Sequence, residues 1–283
     1  MRILRIAVAA ALAAGTVVGG LALSTAPASA DVPASNPIQY VSQYFWSGGF
    51  PASGTVSCPS GDRVVSSGAS APGGQVTGIA PDINSFTSAT ATATASGYAQ
   101  VTVGCEPAAA LSEVTTQTIQ LPYGSGFRRG VVVCPAGMHA FGGGGYMVRP
   151  FGIVSPGDSS YMASNTVTGD GRGWTYTAHA ANAYDAPVIT TQCAPLRGSY
   201  VSQTYAPEAN YKGANVYGSC LPGYTALSGG VYLSKPDATE VQVGFIDYSI
   251  PASGASGTRW YVDGNDYQDR IGDWLIAVEQ CIR

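Results

Sequence analysis

Lysine is almost missing from this chain. The sequence holds two, Lys212 and Lys235, and charged residues make up only 11% of it. Histidine is as scarce, at His139 and His179. A lysine-poor chain with more acid than base lacks the basic footprint that nucleic acid and anionic membranes need, which excludes both as partners. No two cysteines stand at the short C-x₂₋₄-C spacing of a zinc site. The G-x-S-x-G elbow of serine hydrolases is absent. Helical apolar stripes are also lacking after the N-terminus. The nearest, Asp269 to Val278, is interrupted by Gly272 and reads better as a turn and a strand.

What is present begins with a targeting segment. Met1, Arg2 and Arg5 precede an apolar run from Ile6 to Leu23, and Ala28-Ser29-Ala30 fits the small-x-small rule of signal peptidase. Residues 1–30 are therefore expected to be a signal peptide, and 31–37 an N-terminal extension. The rival is an uncleaved anchor, since the run is nearly long enough to span a bilayer. The first cysteine is Cys58, so the cleavage point offers no lipid acceptor. Without Arg2 and Arg5, 11 basic residues face 17 acidic ones, a net charge of −6. The expectation is a secreted, extracellular protein with no membrane span after signal removal. Six cysteines in an exported chain read as disulfides.

The chain then repeats itself. Cys58-Pro59-Ser60-Gly61 leads to Val64-Val65-Ser66-Ser67-Gly68. Cys134-Pro135-Ala136-Gly137 leads to Ala140-Phe141-Gly142-Gly143-Gly144. Cys220-Leu221-Pro222-Gly223 leads to Ala226-Leu227-Ser228-Gly229-Gly230. Each copy has Gly three places after Cys, an apolar residue at seven and a Ser/Gly run at eight to ten. Upstream, Val41-Ser42-Gln43, Thr115-Thr116-Gln117 and Val201-Ser202-Gln203 extend the register. Downstream, Cys105, Cys193 and Cys281 close the copies. An aromatic precedes the closing cysteine by nineteen places at Phe86 and Trp174, and by twenty-one at Trp260. The units run 38–107, 113–196 and 199–283 and leave no room for a separate catalytic domain. Equivalent cysteines should have equivalent partners, which selects Cys58–Cys105, Cys134–Cys193 and Cys220–Cys281.

Cys-Pro-x-Gly is turn chemistry. Val131-Val132-Val133 and the alternating Ala89-Thr90-Ala91-Thr92-Ala93-Thr94-Ala95 are strand-like. The reading is all-β: three repeated antiparallel sheet units packed about a pseudo-threefold axis, β-prism-like, burying Val65, Phe141, Leu227, Trp174 and Trp260. A β-sandwich or three small β lobes are the alternatives.

Cysteine-bracketed copies with Cys-Pro-x-Gly turns and a mid-unit Trp resemble a repeat of exported actinobacterial proteins. More distantly they resemble the vitelline membrane outer layer protein family. That resemblance covers repeat number, turn motif and bracketing, and implies a β-prism of three sheets. The units here, about 70–85 residues long, depart from that family's length.

Candidate chemistry is thin. His139-Ala140-Phe141-Gly142-Gly143-Gly144 is superficially like an esterase oxyanion segment, but the other copies carry Arg63 and Thr225 at the histidine position, so it reads as a structural turn. His179 reads as a strand histidine. Asp263, Asn265, Asp266, Asp269 and Asp273 cluster in copy three. They read as a solvated turn or as hard-cation ligands for calcium, without EF-hand spacing. Tyr40, Tyr44, Phe45 and Trp46 form a dense aromatic cluster, and Phe45-Trp46 has no counterpart in the other copies. It reads either as a lid over the open end of a sheet or as a stacking platform for sugar rings. No cofactor is called for and no catalytic residue stands out. The expected function is a non-enzymatic extracellular or envelope-associated binding protein, its partner a polymer or protein, with glycan the favoured class. The alternative is an exported hydrolase using carboxylates that the sequence does not single out.

Overall fold

The computed structural model describes residues 38–111, 113–150, 153–154, 161–207, 214–234, 245–254, 257–265 and 274–283. Copy one contributes β1 (Gln39–Trp46), β2 (Pro51–Ser57), β3 (Asp62–Ser70), β4 (Gln75–Pro81), β5 (Ser88–Thr94) and β6 (Tyr98–Pro107). Copy two contributes β7 (Thr115–Gln120), β8 (Gly126–Val133), β9 (His139–Arg149), the two-residue β10 (Ile153–Val154), β11 (Tyr161–Val167), β12 (Gly173–Ala180) and β13 (Ala186–Ala194). Copy three contributes β14 (Tyr200–Pro207), β15 (Ala214–Ser219), β16 (Thr225–Ser234), β17 (Phe245–Gly254), β18 (Gly257–Asn265) and β19 (Trp274–Ile282). Among the described residues helical structure is limited to a 3-10 turn at Ala108–Ala110 and the 3-10 residue Pro150.

The strands form three six-stranded antiparallel sheets. They are not one sheet per copy. Sheet I is ordered β1-β6-β3-β17-β18-β15 and joins copies one and three. Sheet II, β7-β13-β9-β4-β5-β2, joins copies two and one. Sheet III, β14-β19-β16-β11-β12-β8, joins copies three and two. Apart from the short β10, which pairs with β9, every copy gives three strands to one sheet and three to the next, and the exchange is cyclic. One bridge, Ile246 opposite Val76, also links sheets I and II.

The repeat motif places the crossing between sheets. In each copy the strand before the first cysteine and the strand after it belong to different sheets. The turn between them has Gly61, Gly137 or Gly223 at φ of 93°, 83° or 85°. It is closed by Asp62 N–H to Pro59 O, Met138 N–H to Pro135 O, or Tyr224 N–H to Leu221 O. Glycine at the third turn position meets a positive φ that other residues avoid. In copy three the proline moves by one position and the turn is kept. Disulfides Cys58–Cys105, Cys134–Cys193 and Cys220–Cys281 staple each crossing, with Cα separations of 5.7, 5.7 and 5.8 Å.

The apolar residue seven places after the cysteine also has a common task. The ladders β3–β6 and β16–β19 bulge at that residue, and β9–β13 bulges just after it, between Phe141 and Gly144. Val65, Phe141 and Leu227, all fully buried, meet in one cluster with Ile38, Leu111, Leu196 and Ile282, plugging one end of the prism. A bulge re-aims a side chain, here from the sheet into the shared end. The main core lies between the three inner faces and holds Trp174, Tyr176 and Trp260 among small Ala and Val residues.

Two sequence alignments are corrected by the ladders. Gln43, Gln117 and Gln203 stand opposite Val101, Thr191 and Val278, which are four, two and three places before their cysteines. The upstream triplets are therefore out of register, and a one-residue slip reverses the face a side chain occupies. The position of Trp174 and Trp260, two places into the register opposite Val132 and Gly218, is Ala89 in copy one, opposite Val56. Phe86 instead matches Gly171: the carbonyls of both accept from the strand residue six places after the cysteine, Val64 and Ala140. Both take positive φ, 54° and 70°.

Candidate functional site

Alternation along the strands sends Ala69, Val101 and Val103 into the core and leaves the opposite set on the outer face of sheet I. That set includes Ser42, Tyr44 and Trp46 of β1, Tyr98, Gln100 and Thr102 of β6, Ser66 and Ser70 of β3, Tyr248 of β17, Tyr261 and Asp263 of β18, and Tyr217 of β15. The ladder lines up Tyr44, Gln100, Ser70, Tyr248 and Asp263 in one row across five strands. At the usual strand spacing Tyr44 and Tyr248 are roughly 14 Å apart. Between them the floor is small and hydroxylated: Ser66, Ser70 and Thr102 are buried although they face outward, and Ser42 Oγ lies 2.8 Å from Thr102 Oγ1.

The aromatic cluster of the sequence divides on this face. Trp46 and Tyr44 point outward and are 62% and 66% exposed, beside Tyr98 at 61%. The Trp46 and Tyr98 rings meet edge to face with centroids 4.9 Å apart. Phe45 turns inward and covers Gly54 of β2, where a Cβ would collide with its ring. Tyr40 packs against the end plug. Tyr98 joins the patch, and Phe50 of the β1–β2 turn is also exposed. The sequence reading missed both, because Tyr98 becomes a neighbour only through the β1–β6 ladder. Toward the other edge of the same face, Tyr261 packs against Tyr217 and Tyr248 at centroid distances of 4.8 and 5.7 Å.

Of the calcium candidates, Asp263 is half-buried on β18 and accepts a 2.9 Å hydrogen bond from Tyr261 Oη. Burial raises its pKa. Asn265 ends β18, and Asp266, Asp269 and Asp273 lie outside the described residues. His139 opens β9, half-buried, its pKa lowered by burial and by Arg172. His179 of β12 is stacked on Tyr161 at 5.1 Å.

Two glutamates are buried. Glu279 of β19 is fully inside, and its Oε1 accepts the Trp260 N–H at 2.9 Å across the space that Gly218 leaves open. Glu106 of β6 is 3% exposed. Burial pushes both carboxyls up to about 7, against which the Trp260 hydrogen bond and Arg259 pull at Glu279. Glu279 faces the core beside the Cys220–Cys281 disulfide, away from the outer faces.

Cavities open on the other two outer faces. One, about 390 Å³, lies on sheet II against Ala80, Asp82, Asn84, Thr90, Thr92 and Tyr146. Asp82 is the only carboxylate in its lining; it accepts from Ser85 Oγ and Asn84 N–H, which hold its pKa low. The second, about 200 Å³, lies on sheet III against Arg129, Ser164, Thr166, Thr175, Gln203 and Tyr232.

The chain matches no protein-family profile, and no curated protein matches it in sequence. The site's geometry and chemistry therefore carry the functional argument.

Proposed function

We infer that this is an exported, non-catalytic binding protein that holds a neutral extracellular glycan on the outer face of sheet I. The observation that carries the reading is the outward set Trp46, Tyr98 and Tyr44, each more than half exposed, beside the accessible Ser42 hydroxyl and Gln100 amide. Large aromatics left in water next to hydrogen-bonding side chains suit sugar rings, whose faces stack and whose edges hydrogen-bond. An acidic, lysine-poor surface suits an uncharged polymer better than an anionic one. Export is supported by the N-terminal segment and by the pairing of all six cysteines. No helix of the described residues is long and apolar enough to cross a membrane. The same reading takes the chain as an exported three-repeat protein with Cys-Pro-x-Gly turns, distantly similar to vitelline membrane outer layer proteins.

Retention of the mature protein on insoluble cell-wall and polysaccharide preparations tests this. Trp46→Ala and Tyr44→Ala should each weaken retention roughly fivefold, the equivalent of about 1 kcal/mol of stacking. Release of reducing sugar or peptide would overturn the non-catalytic reading, and retention unchanged by both substitutions would remove the site from sheet I.

A further inference from the structure

The cavities on sheets II and III are the same place on the pseudo-threefold fold. The ladders fix the correspondence: each β4–β5, β11–β12 and β17–β18 pair has a bulge, after which Gly78, Ser164 and Tyr248 are equivalent. Counting from there, Ala80 matches Thr166, Thr90 matches Thr175, and Asp82 matches Thr168. On the neighbouring copy's strand, Tyr146 and Tyr232 both stand twelve places after their cysteine. Both cavities are lined by that tyrosine and by these same strand positions.

We propose that the two cavities are a pair of equivalent sites, each taking one neutral pyranose ring, so that the protein is bivalent toward single sugar rings while the face of sheet I takes a longer stretch of polymer. The tyrosine supplies a ring face, and the strand beneath supplies hydroxyls. On sheet III two of these are buried and unsatisfied by the protein: Ser164 Oγ and Thr166 Oγ1, in residues 0% and 2% exposed. A sugar's hydroxyls are the partners such groups lack. On sheet II the Asp82 carboxylate and the Thr90 hydroxyl line the equivalent space. The third position, on sheet I, reverses the bulk. Ser70 replaces the tyrosine, while Tyr248, Ile250 and Tyr261 replace Gly78, Ala80 and Thr90. That copy fills the space with its own side chains.

This inference rests on the glycan reading for ligand class but uses different residues. Titration calorimetry with methyl glycosides of glucose, galactose, mannose and N-acetylglucosamine should find two sites per chain for at least one of them. Tyr146→Ala and Tyr232→Ala should each leave one, and the double variant none. Thr166→Val, a near-isosteric change, should weaken the sheet III site tenfold with the melting temperature kept. Wild-type protein should precipitate albumin carrying many copies of the bound sugar, and neither single variant should. Tyr184→Ala, an exposed tyrosine that lines neither cavity, should leave the count at two. No binding of any of the four sugars, or binding that survives the double variant, overturns the proposal. Polymer retention dependent on Trp46 then still stands by itself.

Discussion

At the residue scale, the interior is solved by groups of residues that change together. Gly143 and Gly229 give up their side chains to the rings of Trp174 and Trp260, where a Cβ would collide. Asn165 Oδ1 and Ser249 Oγ accept the indole N–H at 2.7 and 3.1 Å. In copy one the tryptophan position is Ala89, and the other two positions become Ser67 and Ile79. With no indole present, neither the empty place nor the polar acceptor is needed. The buried glutamates belong to this scale too. A carboxyl whose folded pKa is raised from about 4.5 to about 7 holds its proton more tightly folded than unfolded. Its contribution to stability is full below about pH 4, declines between the two values and is lost above pH 7. His139, with a lowered pKa, works in the opposite sense near neutrality. Glu106→Gln and Glu279→Gln should therefore each raise the melting temperature more at pH 8 than at pH 5. Each removes a pH-dependent destabilisation on the order of 2–3 kcal/mol at pH 8. Melting curves across that range check it, and equal shifts at both pH values would contradict it.

At the element scale, the ladders between copies are short. One bridge pair joins β4 to β9, Ile79 with Gly145, and two pairs join each of the other junctions. What brings the strands together is a glycine ten places after each first cysteine. A Cβ on Gly68, Gly144 or Gly230 would strike the backbone of Ser249, Ile79 or Asn165 in the neighbouring copy. Those atoms cannot retreat without parting the sheet. Gly144→Ala and Gly230→Ala should cost about 3 kcal/mol each in urea unfolding. Gly169→Ala, with only the Gln203 amide at 3.6 Å, should stay within about 0.5 kcal/mol. The Ser/Gly run was legible as a close approach, and the cysteine pairing followed from repetition. The sharing of sheets was not legible, because strand pattern reports which face is buried and not which copy supplies the neighbour. Nor were the cavities, whose tyrosine and threonines come from different copies. Phe86 misled because a bulky aromatic sits where the backbone asks for glycine geometry.

At the scale of the whole molecule, a single copy has the strands for two half-sheets and no complete sheet. Residues 113–196 expressed alone with Cys134–Cys193 closed should not yield a folded monomer. They should remain unfolded or associate, with a trimer as the closed assembly. Sedimentation together with circular dichroism distinguishes these outcomes, and a monomeric, strand-rich fragment would show that the copies are autonomous.

The cyclic exchange also sets a timetable. β3 of copy one waits for β17 of copy three, and Ser70 meets Tyr248 across most of the chain. A polypeptide that emerges amino end first must carry an unfinished edge through the arrival of two further copies before anything can cover it. Such an edge is a template for wrong partners. Copies two and three can complete sheet III with no help from copy one, whereas the seam in sheet I closes last. The slowest and most error-prone moment in the protein's life should therefore be the return of its last copy to its first.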